Sequence, residues 1–380
     1  MGIKVNHTIL NLSAAVLLAV SFFSCGKQPE FAGQQVGVLT RKDAVLSTKG
    51  SGELTTASLR DRSFGLYGYY RDEGQYFDGV DAGHLLMSNA RMSYVETTGS
   101  GDRWVCDPSV YWPLGSSVSF FAYAPYLDAE GSILTLPNSD VSSMLRGTYR
   151  VPADVSAQPD FCLAPPVLDW NASKGDVPVT FNHALTKVLF CFNAGGAIYE
   201  GEEHRFRVKS LTLEGVAESN KFTFGGGENG FHWDGIPRDA IEARTGSYAL
   251  SVEDGTLTGA TLPFLSEVEE AEGLERFLCV NGVSDGILYL LPQPMTPAAR
   301  VTVEFCACLY DEGLGIWVED ESIPFDPVTV FLPETTVWYA GNTVVYSATL
   351  DVTYYIDLEF SVTLADWENN ILDDTNFTHE

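Results

Sequence analysis

The chain has 380 residues, 45% of them hydrophobic and 12% aromatic, with 51 acidic side chains against 22 basic ones and a formal net charge of −29. That length accommodates two or three domains at roughly 100–200 residues each, and the aromatic content leans towards β-structure. So acidic a surface repels phosphate backbones, which excludes nucleic-acid binding.

Residues 1–24 read as an export signal. Lys4 supplies a basic start, residues 9–23 are a largely apolar run too short to span a membrane comfortably, and Ser24-Cys25 follows. A cysteine directly after an apolar run and a small residue resembles a bacterial lipobox, in which the leader is removed before the cysteine and the thiol is lipidated. An ordinary cleaved signal and an uncleaved anchor are the other readings. Residues 25–45 are polar with scattered Val and Leu, the composition of a tether leading into a first strand. Arg41-Lys42 lies in it, and Arg60 and Arg62 flank Asp61 a little later; both places suit trypsin-like cleavage.

From Phe64 the signals are β. Apolar, aromatic-rich runs at 64–70, 91–97, 116–126, 132–137 and 161–170 are separated by Gly, Asp and Pro, with Pro125 stopping the third. The most polar break, residues 169–176, sets the expected boundary between an N-terminal domain (46–175) and a C-terminal one (176–380). Further runs follow at 177–192, 206–216, 221–224, 247–252, 276–280, 286–294, 300–310, 316–325 and 329–333. Strands at roughly ten-residue spacing with turns between them predict an all-β sandwich architecture. Helical periodicity is confined to 265–277, and no βαβ alternation is present.

The chain closes on a run, 344–364, whose even positions are all apolar while most odd ones are Ser, Thr, Asp or Glu. This period of two predicts a strand with one buried face. At about 3.3 Å per residue it would span roughly 70 Å, far beyond an ordinary strand, so it is two strands or one that reaches outside its own domain. For two strands, the odd face turning aromatic at Tyr355 marks the break near 353–355, with 356–364 as the second strand.

Chemistry-bearing patterns are weak. Beyond Cys25 the cysteines are Cys106, Cys162, Cys191, Cys279, Cys306 and Cys308, with no C-x-x-C pair; the last four lie in apolar runs where a free thiol acts as a small hydrophobe, and disulfide pairing stays open. The six histidines share no ligand spacing, and His183, inside a strong β-pattern, reads as structural. Gly282-Val283-Ser284-Asp285-Gly286 matches G-x-S-x-G, yet apolar runs on both sides make it a hairpin turn rather than a nucleophile elbow. The Gly-rich stretch 224–235 lacks the Lys-Ser/Thr pair and the helix of a phosphate cradle. Asp311-Glu312, Glu319-Asp320-Glu321 and Asp373-Asp374 read as acidic loops, and Trp104, Tyr111, Trp112 and Trp233 as core rather than a sugar platform. No catalytic residue, cofactor or metal is expected.

Taken in order, several segments resemble the fimbrillin-like (Mfa-like) lipoproteins of Bacteroidales. They are Cys25; the W-P-x-G-S-S-V-S-F-F-A-Y-A-P-Y stretch from Trp112 to Tyr126, preceded by Trp104; Phe181-Asn182-His183-Ala184-Leu185-Thr186-Lys187-Val188; Tyr289-Leu290-Leu291-Pro292-Gln293-Pro294; and Tyr339-Ala340-Gly341-Asn342-Thr343 running into the terminal strands and Trp367. The resemblance implies two tandem transthyretin-like β-sandwich domains with Greek-key-like connections. It implies lipoprotein export through the periplasm to the outer membrane and cell surface, and a role as subunit, anchor or tip adhesin of type V pili. The partners implied are other pilus subunits, the outer membrane through the lipid on Cys25, and a host or bacterial surface ligand. Subunits of that family polymerise by β-strand addition after proteolysis at an arginine removes an N-terminal strand. Here the candidate cleavage points are Arg41 and Arg60, and the candidate donor face is Ile356, Leu358, Phe360, Val362 and Leu364. The alternative is a surface glycan-binding lipoprotein.

Overall fold

The structure, a computed structural model, describes residues 31–40, 54, 56–78, 83–96, 102–127, 134–135, 145–195, 204–236, 245–251, 278–279, 287–351 and 360–366. Strands β1 (Phe31–Gln35) and β2 (Val38–Thr40) open it. Both fall inside the stretch 25–45 read as a tether, and that reading is corrected: Val36 and Val38 are fully buried, which gives the segment a core face. A seven-residue helix, α1 (Thr56–Arg62), follows where the sequence predicts none. Its buried anchor is Leu59, and the amide of Ser63, in the left-handed region at φ 61°, bonds back to the Leu59 carbonyl and ends it.

The next strands match the apolar runs: β3 (Phe64–Arg71), β4 (His84–Val95), β5 (Asp102–Cys106), β6 (Tyr111–Pro113) and β7 (Ser117–Ala124), the last stopped by Pro125. Then come β8 (Leu134–Thr135), β9 (Arg146–Arg150), β10 (Cys162–Leu163), β11 (Val167–Trp170), β12 (Val177–Val179) and β13 (Asn182–His183). The second half holds β14 (Thr186–Gly195), β15 (Arg205–Ala217), β16 (Ser219–Phe224), β17 (Phe231–Trp233), β18 (Thr245–Ser251), β19 (Leu278–Cys279) and β20 (Leu288–Leu290). It ends with β21 (Arg300–Asp311), β22 (Ile316–Glu319), β23 (Val328–Phe331), β24 (Asn342–Asp351) and β25 (Ser361–Asp366). The helix predicted at 265–277 lies outside the described residues. Among those described, no helix is long and apolar enough to cross a membrane.

The largest sheet runs β12-β2-β5-β4-β3-β7-β10-β13, with β11 also on β7. Two further sheets, β19-β14-β24-β25 with β20 on β14, and β18-β15-β21-β22 with β23 on β21, come wholly from the second half. A four-stranded sheet, β17-β16-β9-β8, draws on both halves, and β1 pairs with β6 alone. The first sheet crosses the boundary expected at 175/176. Strands β12 and β13 belong to the first sheet, and Val177, Val179 and Phe181 sit in its core, because apolar alternation continues past the polar break at 169–176.

Strands β3 and β7 are buried on both faces. Val118, Phe120, Ala122 and Ala124 of β7 point into one core with Phe64, Leu66 and Trp104; Phe121 and Tyr123 point into a second core that extends through all the second-half sheets. This middle pair needs a glycine: a Cβ on Gly65 would land in the Tyr123 ring, whose hydroxyl donates to Asn89 Oδ1 at 2.6 Å. A second glycine, Gly215 at φ +77°, forms the bulge of β15, where a Cβ would land on the Ala298 carbonyl.

The terminal alternation resolves into two strands, β24 and β25, paired antiparallel with Val344 opposite Leu364 and Tyr346 opposite Val362. The break near 353–355 lies outside the described residues. The expectation of one buried face fails for β24, where Val345 and Ser347 are buried as well as Val344, Tyr346 and Ala348. The strand lies between β25, paired over Asn342–Ser347, and β14, parallel to it from Lys187↔Thr343 to Gly195↔Asp351, so its first part is covered on both edges and, from Thr343 to Ala348, on both faces. Of the cysteines whose pairing the sequence leaves open, Cys191 is disulfide-bonded, and Cys279 stands opposite it in register; Cys106, Cys162, Cys306 and Cys308 are buried free thiols.

Candidate functional site

The N-terminal strand β2 is held in a slot between two strands that follow it by long stretches of chain. It runs antiparallel to β5 (Val38↔Trp104, Leu39↔Arg103, Thr40↔Asp102) and parallel to β12 (Val38↔Val177, Leu39↔Pro178, Thr40↔Val179). The ladder extends beyond the strand, with the Val36 amide donating to Val110 at 2.8 Å and the Val177 amide to Gly37 at 2.9 Å. The fully buried side chains of Val36 and Val38 fill the core, and the Thr40 hydroxyl accepts from Trp104 Nε1 at 3.1 Å. Over Gly37, Arg103 Nε reaches Asp176 Oδ2 at 3.0 Å, an ion pair across the two flanking strands that a side chain at residue 37 would displace.

Of the candidate cleavage points, Arg41 directly follows β2 in the chain and lies outside the described residues, as does Cys25. Arg60 is exposed on α1, with its guanidinium 4.9 Å from the centre of the Tyr94 ring. Beyond Arg41, the Leu54 amide donates to Asp160 Oδ2 at 2.8 Å and the Leu54 side chain is buried in the first core.

Of the candidate donor residues, Ile356 and Leu358 lie outside the described residues. Phe360 is buried against Phe190, Phe192 and Tyr346, with ring centres 5.8, 6.0 and 5.8 Å away. Val362 is partly buried on the same core, and Leu364 is 47% exposed. In this conformation β25 is the outer strand of its own chain's sheet.

The remaining motifs settle into structural roles where they are described. Trp104 and Trp112 are fully buried and Trp233 Nε1 donates to the Ala184 carbonyl at 2.8 Å, so of the four aromatic residues only Tyr111 is exposed and no stacking platform forms from them. The Gly-rich stretch is the β16–β17 hairpin, whose Gly225, Gly226, Gly227 and Gly230 all have positive φ. Ser284 and its G-x-S-x-G turn, and Asp373-Asp374, lie outside the described residues. Asp311 Oδ1 closes the turn after β21 by accepting the amides of Gly313 and Leu314, whereas Glu319 lies in β22, not in an acidic loop, and pairs with Lys209 of β15 at 3.0 Å.

Asp320 accepts from the Ser322 amide and hydroxyl and meets His204 Nε2 at 2.9 Å; chiefly the Ser322 hydroxyl, then His204, hold its carboxyl down at about 2. A carboxyl depressed in the folded state stabilises above its ordinary value near 3.8 and loses that contribution as pH falls towards 2. Replacing Asp320 by Asn is therefore expected to flatten the loss of stability between pH 4 and 2, checked by urea titrations at a series of acid pH values; an unchanged acid limb would contradict it.

Two clusters escape sequence reading. Cys306 and Cys308 alternate on β21 with their sulfurs 3.8 Å apart, and Arg207 Nε lies 3.4 Å from the Cys306 sulfur; the Cys308 thiol, then Arg207, hold the Cys306 thiol low against the opposing effect of burial. Asp160, Cys162 and His183 converge at the β10–β13 pair, all buried. The D-x-C pattern and a histidine 21 residues on in the chain match no familiar ligand spacing, so only the strand register could reveal them.

Comparison with known proteins follows the same architecture. No curated protein matches the chain. The crystal structure of a fimbrial protein from Bacteroides vulgatus is similar at a TM-score of 0.59 and 17% identity, covering 88% of this chain and 99% of that one, which shows a shared fold. Crystal structures of candidate cell adhesion proteins from Bacteroides uniformis (TM-score 0.42, 17% identity, 90% and 100% coverage) and Bacteroides ovatus (TM-score 0.45, 15% identity, 88% and 98% coverage) are also matched. A family model described as fimbrillin-like matches residues 80–367, from within the first sheet to the end of the terminal hairpin, and the chain belongs to that fimbrillin-like family.

Proposed function

We propose that the chain is a non-enzymatic surface lipoprotein, lipidated at Cys25, exported through the periplasm to the outer membrane, and assembled into type V pili as subunit, anchor or tip. The observation that carries this reading is the slot of β2: three residues, paired on both sides, directly followed by Arg41. Proteolysis after Arg41 removes β1 and β2 together and leaves two facing strand edges, β5 and β12, over an apolar floor that includes Trp104. An extended segment from another subunit can refill such a slot by main-chain pairing plus alternate side chains. Cleavage after Arg60 is the poorer choice. It also cuts α1 and removes Leu54, whose amide and side chain are both buried in the first core.

The reading retains two sandwiches of the transthyretin kind, with the change-over after β13 rather than at residue 175. The donor would come from the terminal hairpin, of which β25 has the fewest partners. The deciding experiment is N-terminal sequencing of surface-extracted protein combined with electrophoresis with and without heating. Lys42 at the N-terminus and a heat-labile ladder of oligomers are expected. Cys25 at the N-terminus with monomer alone would sink the polymerising-subunit reading and leave an unprocessed lipoprotein.

A further inference from the structure

We propose that Asp160, Cys162 and His183 form a binding site for one divalent transition-metal ion, zinc being the best match. Asp160 and Cys162 are two residues apart in an extended segment, so their side chains share a side; His183 is placed opposite Cys162 by the antiparallel register of β10 and β13. His183 Nδ1 lies 3.0 Å from Asp160 Oδ1 and 3.6 Å from Cys162 Sγ, and Cys162 Sγ lies 3.7 Å from Asp160 Oδ1. Tetrahedral zinc, at about 2.0 Å from nitrogen or oxygen and about 2.3 Å from sulfur, holds its ligand atoms roughly 3.3–3.6 Å apart. The triangle needs to move by only a few tenths of an ångström to accept it.

Charge and donor chemistry agree with the distances. On binding, the Cys162 thiol gives up its proton to solvent, and a divalent ion with a neutral imidazole then cancels the carboxylate and thiolate charges in this fully buried place. The sulfur–nitrogen–oxygen set selects against calcium and magnesium, which take oxygen ligands alone. The second oxygen of Asp160 accepts the Leu54 amide at 2.8 Å, the kind of outer contact that fixes a ligand's orientation. Three protein donors leave the fourth position to a small ligand such as water. The ion would tie β10 to β13 and, through Asp160, to the backbone just ahead of α1.

The test uses the chain from residue 26 onward, purified reduced and without chelators, and does not depend on the pilus reading. Elemental analysis should find one zinc per chain. After chelation, cobalt(II) titration should give a thiolate-to-cobalt charge-transfer band that Cys162→Ser abolishes and Cys306→Ser leaves intact. His183→Gln should weaken cobalt binding by more than about tenfold. If the wild-type chain, folded by circular dichroism and with Cys162 reduced, holds no zinc and develops no such band, the site is a hydrogen-bonded Asp–His–thiol cluster and the proposal is overturned. That wild-type measurement decides the matter even if the variants fail to fold. A band that survives Cys162→Ser overturns it equally.

Discussion

A chain beginning at Lys42 is expected to be markedly less stable than one beginning at residue 26, and to recover that stability when a peptide spanning residues 31–41 is added in trans. Both effects follow from β2. Val36 and Val38 are fully buried, and withdrawing a buried side chain of that size costs roughly 1.5–3 kcal/mol, so the pair accounts for about 3–6 kcal/mol. The figure is an upper estimate, since an unfolded chain already buries part of this surface. The truncated protein also loses the hydrogen bonds to β5 and β12 and the Thr40 acceptor of Trp104 Nε1, leaving a buried donor unpaired. Urea unfolding followed by tryptophan fluorescence, with and without peptide, reads both changes. Equal midpoints for the two chains, or no response to peptide, would show that β2 is not an exchangeable element.

The second large effect separates the two roles open to the terminal strand. Replacing Phe360 by Ala is expected to destabilise the monomer by about 3–5 kcal/mol, because the ring fills a space bounded by Phe190, Phe192 and Tyr346. Replacing Leu364 by Ala, at a position 47% exposed, should change stability by no more than about 0.5 kcal/mol. The contrast is expected of a strand that closes its own sheet before assembly. A strand that serves only as a donor would give the opposite result: an unperturbed monomer with either change, and loss of the oligomer ladder with Phe360→Ala. Chemical denaturation of monomer and electrophoresis of extracted oligomers measure the two sides.

What could be read from the sequence was set by how local each signal is. The strands β3 and β7 announce themselves through dense aromatics and Pro125, and the terminal hairpin through an alternation that no helix could share. The seven-residue helix α1 hides because, of its side chains whose burial is described, Leu59 alone is buried, too few positions to show a period. The slot of β2 hides for a different reason: three residues carry little pattern, and one partner stands at 177–179. The same distance hides the return of β12 and β13 to the first sheet, since a polar stretch such as 169–176 looks like a linker whether or not the next strand returns to the same sheet. Asp160, Cys162 and His183 become a cluster only through the register of a two-residue strand pair. Chemistry set by such short pairings leaves no spacing for a motif to record.

The placing of β2 also fixes an order of events. A chain that emerges N-terminus first presents residues 38–40 long before residues 102–104, and those before 177–179. Strand β2, made early, is therefore among the last to be paired on both sides, and its closure must wait until β12 exists, when most of the first sheet has been made. Until then the nascent molecule carries an open seam into which any neighbour's extended segment could fall. An attached leading strand is always at higher local concentration than a competitor, so tethering alone favours self-closure over premature joining. In the proposed pilus role, the peptide bond after Arg41 would act as a timer: while intact it would keep each molecule sealed, and once cut it would make the same seam available to others.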